Sequence, residues 1–490
     1  MPGDAGQDIQ APEGDHGRPG WFIRPAHIVL IDREPPGGPY MRSLFFVLDM
    51  LCLLPIAMAR PFVGVLLWDW IAFMSPHKIV WGFGMDWPWA LASFVATAIG
   101  WAFSREPKQI AVNPTTVLMA LFVLGVTANM PFALSPWPAE YEEWMRVLKM
   151  FLFFIITACL LTDKRRIDAL IWIIVISIGY WILDQGGAAV VTLGHHKAFG
   201  PPTSMIEDNN AFAAALLVIL PLLNYLRLQT RHKIVRTGLI LLLGLTMLAV
   251  LASYSRGAFL GILAVTIVLW SRSRNKAGGL IVLGAALALG ILFMPAAWVA
   301  RMHTIDHYHH DGSAESRLYI WGVAWRLALH HPLTGAGFHA TTFAQVVDTV
   351  VPGGRTLAIH SIWFQVLGEQ GFLVFFIWLG ITLAAAWNAH QIVRLTHQRE
   401  DLAWARDLAR MVQVSIVAYV VTGTFLPIGY WDIYFTVLVA LAATKALVVK
   451  AVTESPADRS HAWRARQPRP RPSRTTSGPI GAARAGARGR

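Results

Sequence analysis

The stretch AFAAALLVILPLLNYLRLQTRHKIVRTGLILLLGLTMLAVLASYSRGAFLGILAVTIVLW, residues 211–270, holds three apolar runs, 211–226, 237–252 and 258–270, separated by two very different connectors. The first connector, 227–236, is crowded with Arg and Lys, and the second is a short polar turn around Ser255 and Arg256. A helix needs about 20 residues to cross a hydrocarbon core of about 30 Å, so these runs are of crossing length or close to it. Lipid offers no partner to backbone N–H and C=O groups, and the runs are too continuous for the alternation of barrel strands, which leaves helices. Basic connectors stay on the cytoplasmic side. The turn that carries Arg256 therefore faces outward.

The same pattern extends over most of the chain. Of 490 residues 55% are hydrophobic and 14% charged, and 21 are Trp, which excludes a soluble domain of ordinary composition. Further runs fall at 44–74, 87–103, 115–134, 147–162, 167–184, 278–294, 360–387, 410–426 and 431–448. Together they predict an all-α polytopic bundle of about twelve transmembrane helices. The first run is too long for one upright helix and is interrupted at Arg60-Pro61, so it is either a tilted helix or two short ones. Connectors 104–108, 163–166, 227–236, 271–276 and 390–410 are rich in Lys and Arg, while 75–86, 129–143, 185–210, the turn at Ser255 and 295–359 are poorer. If 44–74 is a single span, both termini are cytoplasmic.

The membrane domain is expected over 41–450, with one long extracytoplasmic loop, 295–359. Residues 1–40 are polar and rich in Pro and Gly, and form either a disordered arm or a stretch preceding a true start at Met41; the Arg- and Pro-rich 451–490 is a disordered cytoplasmic tail. The formal charge of +12 sits mainly in loops and tail, so it reports membrane orientation and no nucleic-acid partner is expected. Cys52 and Cys159 both lie in apolar runs, which supports neither a disulfide framework nor a zinc site. Many tryptophans, Trp81, Trp87 and Trp89 among them, are expected as interfacial anchors.

Within the outward loop, SAESRLYIWGVAWRLALHH (313–331) has an amphipathic helical pattern closed by Pro332, suited to the membrane surface or to capping the bundle. The glycines of LTGAGFHATTF (333–343) suggest a tight loop and not a nucleotide cradle, because no strand precedes them. No GxxxxGK[ST] element occurs, so the chain shows no means of using ATP.

Three outward residues can carry chemistry. Arg256, beside Ser253 and Ser255, can fork two N–H donors onto a phosphate, although a boundary arginine also snorkels. Arg317 follows Glu315, an ordinary solvated pair by itself. His360 heads the run IHSIWFQVLGEQGFLVFF, where it would be costly against lipid and faces the bundle interior or the interface. Glu369 lies about half a helical circumference away and is more simply structural. Asp208, Asn209 and Asn210 open a span, where they serve as a helix cap or bind sugar hydroxyls. His303, Asp306, His307, His309 and His310 invite a zinc assignment, but a solvated loop satisfies the same letters and no metal is expected. Asp49, Asp69 and Asp184 would matter in a transporter.

SYSRGAFLG (253–261), the Ser-Arg of SAESRLYIW, HPLTGAGF (331–338) and HSIWFQVLGEQGF (360–372) together resemble the O-antigen ligase and polymerase superfamily of polytopic membrane glycosyltransferases, over most of 41–450. Many members carry Asn after the histidine, where this chain has Ser361. With MARPFVGVLLWDWIAFMSPHKIVWGF (58–83) and IEDNNAFAAALL (206–217), that form is most similar to the probable O-glycosylation ligases associated with exosortase systems. The resemblance implies a metal-independent, inverting transfer of a saccharide en bloc from undecaprenyl pyrophosphate to an acceptor hydroxyl, without cofactor, at the periplasmic face of the bacterial inner membrane. Acceptors would be lipid A core, a protein or another glycan. Arg256 and Arg317 would hold the pyrophosphate and His360 would be the base, with Ser255, Asn209 and Asn210 as possible support. A surface-polysaccharide polymerase and a lipid-linked glycan flippase are the rival readings.

Overall fold

A computed structural model of the protein describes residues 39–272, apart from 81, 82, 107, 109 and 111, together with Gly284 and residues 312–454. The expected arm and tail, the run at 278–294 and the histidine-rich 301–311 lie wholly or almost wholly outside the described residues. Among the described residues there is no strand. The helices are α1 Pro39–Ala59, α2 Pro61–Met74, α3 Trp89–Phe103, α4 Pro114–Asn129, α5 Trp137–Leu160, α6 Lys164–Val191, α7 Asn209–Gln229, α8 Lys233–Ala252, α9 Arg256–Arg272, α10 Gly312–His330, α11 Ile362–Leu395, α12 Ala403–Gly423 and α13 Asp432–Thr453. Seven helices among the described residues, α1, α4, α6, α7, α8, α11 and α13, are long and apolar enough to cross a membrane; α2, α3 and α9 are shorter and apolar.

The first apolar run resolves into two antiparallel helices. Arg60 has φ −135° and ψ 86°, outside the helical region, because the following Pro61 disfavours a helical residue before it and opens the next helix at its first position. Ser43 on α1 accepts a hydrogen bond from Gly84 N–H at 2.7 Å, and Phe46 packs edge-on against Trp89 at 5.4 Å. At the other end of α1, a Cβ on Gly100 would strike the Met58 carbonyl. Thus α1 runs parallel to α3, and α2 returns between them in sequence so that Phe46 faces Trp70 at 6.3 Å. Since α1 begins at the same end of the bundle as Ser75 and Gly84, the condition under which both chain ends would share the cytoplasmic side is not met.

The ends of the bundle differ in charge. One end carries Arg60, the Arg166–Glu106 pair with bonds of 3.0 and 2.7 Å, and the Lys164–Asp168 pair. The other carries the turn at Ser253–Ser255 and the segments 192–208, 331–361 and 424–431, and is called here the site end. Helix α7 is the core element: Ala211–Leu223 are all buried, so the helix is apolar all round as a fully enclosed helix must be. Its N-terminus points at the site end.

Two further features position the site. Helix α11 breaks at Gly371, whose φ of +73° only glycine tolerates freely, and the Pro332 carbonyl and Gly335 N–H press against the spot a side chain would occupy. The expected amphipathic helix appears as α10, lying along the part of α11 before this break. Trp321 stacks on Phe364 at 5.2 Å and Trp325 meets Phe372 edge-on at 5.7 Å. Ile320, Val323, Ala324 and Leu327 form its buried face, while Leu318 and Leu329 stay exposed. Helix α5 starts well before the expected span 147–162, which places Glu140, Glu143 and Arg146 at the site end outside that span.

Candidate active site

The turn between α8 and α9 is tied at every residue. Ser253 donates to the Val250 carbonyl at 2.6 Å and accepts from Ser255 N–H at 3.2 Å, while Tyr254, at φ +57°, donates its hydroxyl to the Gly194 carbonyl at 2.7 Å. Ser255 accepts from Ala258 N–H at 3.2 Å, closing the first turn of α9. Arg256 is therefore the first residue of a helix, where the partial positive charge of the helix end adds to its own.

Asp208 caps α7, accepting from Asn210 N–H at 2.8 Å and Ala211 N–H at 3.3 Å. That fixes the two asparagines on different duties. Asn209 is buried and donates to the Ser253 carbonyl at 2.8 Å, so it braces the turn and is not on the cavity wall. Asn210 is on that wall. With Ser255, Arg256, Arg317, Thr422 and Phe425 it lines a cavity of about 50 Å³. Residues 61 positions apart in the chain, Arg256 and Arg317, thus share one small chamber, α10 carrying the second.

His360 stands just before α11 with an exposed surface, within electrostatic reach of both Arg317 and Asp208. The protein mass around it lowers its pKa, the Arg317 charge lowers it further, and Asp208 opposes both. The imidazole is therefore held in its neutral, proton-accepting form. Ser361 is buried, and its hydroxyl has no hydrogen-bond partner among the described residues.

A second polar cluster at this end was not legible in the sequence. The loop after α10 docks by its backbone onto the break in α11: Ala336 N–H donates to the Gly368 carbonyl and Gly337 N–H to the Glu369 carbonyl, each at 3.0 Å, and Phe372 N–H to Pro332 at 2.7 Å. Glu140 accepts from Phe338 N–H at 2.7 Å, and Glu369 accepts from His339 N–H at 3.0 Å, which gives Glu369 a structural partner other than His360. Burial raises the Glu140 carboxyl to about 7 against the opposing Phe338 N–H and His339. Burial also opposes ionisation of Glu143, but its pairing with Arg146 and the nearby His339 hold it well below the usual carboxylate range. His339, 3.9 Å from Glu143, is opposed by burial yet pushed up to about 9 by Glu143 and Glu369. The glycines of HPLTGAGF were the available signal, and they make the tight loop expected of them, with Gly335 at φ +67° and Gly337 at φ +93°.

Of the other expected residues, Glu315 and Asp49 are exposed, Asp184 accepts from Gln185 at 2.8 Å, and Asp69 is buried.

Residues 239–379 match the O-antigen ligase family model. The matched segment contains Arg256, Arg317 and His360. Residues 41–232 match a family of unknown function (DUF5935). No curated protein matches the chain. The ligase match supports the O-antigen ligase and polymerase superfamily, and with it a multi-pass membrane protein that is a glycosyltransferase-like enzyme acting beside a bilayer.

Proposed function

We propose that the protein transfers a saccharide en bloc from a polyprenyl pyrophosphate, undecaprenyl pyrophosphate in a bacterial inner membrane, to an acceptor hydroxyl at the outer face. The observation that carries this reading is the convergence of Arg256 and Arg317 on one cavity with His360 in electrostatic reach. The chamber suits a phosphate and is too small for a sugar. About twelve crossings, with the site end outward and the long loop 295–359 above it, follow from the alternation of basic connectors.

In the proposed step the acceptor oxygen attacks the anomeric carbon from the face opposite the leaving group. The bond from that carbon to the phosphate oxygen breaks as the new glycosidic bond forms, and the stereochemistry inverts. His360 takes the hydroxyl proton, for which its neutral form is required. Negative charge collects on the departing pyrophosphate, where two guanidinium groups and the N-terminus of α9 stabilise it, so no divalent cation and no ATP are called for. A lipid A core, a protein hydroxyl and a second glycan are acceptors of the same chemistry, the last making the enzyme a polymerase. Purified protein in detergent, given a lipid-linked oligosaccharide and each acceptor in turn, tests the reading. Glycosylation of one acceptor is expected, and movement of the intact lipid-linked glycan across vesicles without bond cleavage would replace this reading with a flippase.

A further inference from the structure

Beside the arginine chamber lies a second and larger cavity, of about 320 Å³, whose wall includes Trp68, His77, Arg146, Lys149, Ser204 and Asp432. Small-ligand pockets run from about 300 Å³ upward, so this volume admits a short saccharide where the 50 Å³ chamber does not.

Chain continuity makes the two cavities neighbours. Ile206 lines the large one and Asn210 the small one; four residues extend at most about 14 Å. Leu426, lining the small one, and Trp431, lining the large one, bear the same relation over at most about 18 Å. A ligand with a phosphate in one can place a ring in the other.

The wall sets a group of polar side chains suited to carbohydrate recognition among apolar ones such as Phe73, Leu91 and Met150. Arg146, Lys149 and Asp432 share the wall, Ser75 and Thr203 add hydroxyls, and Trp68 adds an indole. Burial, helped by Lys78, holds His77 neutral with a pKa of about 4, so it offers one donor and one acceptor. Arg146 is oriented by its pairing with Glu143, which also ties His339. Asp69, buried on α2 beside Trp68, leaves one carboxyl oxygen without a hydrogen-bond partner among the described residues and interacts electrostatically with Asp432. Charged groups buried in a membrane protein are costly to keep and mark ligand paths.

We infer that this cavity, built from residues preceding the O-antigen ligase segment together with α13, is a binding subsite for a short saccharide of the transferred or receiving glycan. The inference rests on the transferase reading for its biological meaning, but the binding itself is testable without transfer.

The experiment uses the full chain in detergent, with Cys52 and Cys159 replaced by alanine and Ser204→Cys introduced as a reporter for maleimide. Probes are the saccharide released by mild acid from the host's polyprenyl-linked pool, the delipidated envelope glycan, and sugar-free polyprenyl phosphate. One of the two saccharides is expected to protect the reporter, which identifies the donor or the acceptor as its source, and the sugar-free lipid is expected not to. Asp432→Asn and Lys149→Gln are each expected to raise the half-protecting concentration about tenfold, the loss of one charged hydrogen bond. Lys149 is partly exposed, so its variant keeps the test valid where Asp432→Asn fails to assemble. Arg256→Ala is expected to lower transfer by about 10²- to 10³-fold and leave protection unchanged. Protection by neither saccharide, equal protection by the sugar-free lipid, or protection indifferent to Asp432→Asn and Lys149→Gln would each overturn the inference. Saccharide protection in a protein that never transfers would sink the transferase reading alone.

Discussion

At Glu140 and Glu143 the carboxylates turn inward onto Phe338 N–H, Arg146 and His339, whereas at Arg256 and Arg317 the guanidinium groups line a cavity. Both clusters sit at the site end of one bundle, and both bring together side chains distant in sequence. The difference is what completes them. The carboxylate cluster fastens the loop 331–361 to α5 and α11, and the loop in turn delivers His360. The arginine cluster lines a cavity of about 50 Å³. A charged group at a membrane surface is therefore informative about function only once its company is known: an arginine is part of a fastening in one place and lines a cavity in another.

The sharpest way to break this contrast is to truncate each cluster and compare activity with folding. His360→Ala is expected to lower transfer by about 10²- to 10⁴-fold, the range for a lost general base. Arg256→Ala and Arg317→Ala are each expected to lower it by about 10²- to 10³-fold, as for a lost oxyanion donor. In all three variants the thermal unfolding midpoint in detergent should stay near that of the parent. An arginine variant that unfolds instead would make the arginine cluster a fastening too.

Next in size is the loop anchor. Gly335→Ala should destabilise by about 1–3 kcal/mol from its left-handed backbone alone, with activity falling alongside the unfolding midpoint. The Glu369 carbonyl stands where the new Cβ would go, so relief by a small shift is not available. Parent-like stability in this variant would detach the loop from the argument.

A smaller effect is expected from pH. His339 has its pKa raised from 6.5 to about 9, so the stability it lends is full below 6.5 and is lost as pH rises through 9. Glu140 is raised from 4.5 to about 7; its neutral form belongs to the fold, and its contribution is full below 4.5 and lost as pH rises through 7. The unfolding midpoint should therefore decline from mildly acidic to alkaline pH, and His339→Gln should flatten the upper part of that decline. His339 is about half exposed (48%), so solvent screening keeps the effect modest. An unchanged slope would remove His339 from the fastening.

The smallest and most specific test is Asp208→Asn. Asparagine caps a helix as well as aspartate does, so α7 should be undisturbed. Loss of the charge that raises the His360 pKa should move the acidic limb of the pH–rate profile to lower pH. A shift the other way, or none, would place the titrating group elsewhere.

Much of this was legible in the residues. Apolar run lengths and the charges of connectors such as 227–236 pointed to helices and to the common side of Arg256, Arg317 and His360. Asp208 was expected as a cap and is one. The run 44–74 was open between one tilted helix and two, and Pro61 settled it locally, but only the pairing of Ser43 with Gly84 shows that the two helices are antiparallel. Asn209 could not be told from Asn210 because capping letters are alike whichever way the side chains turn. Glu140, Glu143 and His339 gave no pattern at all, since they come from segments almost 200 residues apart.

By itself the sequence determined the solvent: runs of some twenty apolar residues cannot stay in water, and backbone groups in lipid must pair within a helix. It also determined which charges lie between the runs. Only the tertiary structure decided that two of those charges share a chamber and that a larger cavity opens between other segments of the same end. Periodicity specifies which elements form and which face is apolar, but the neighbours of a side chain at a helix end depend on how remote helices pack, and no local pattern encodes that.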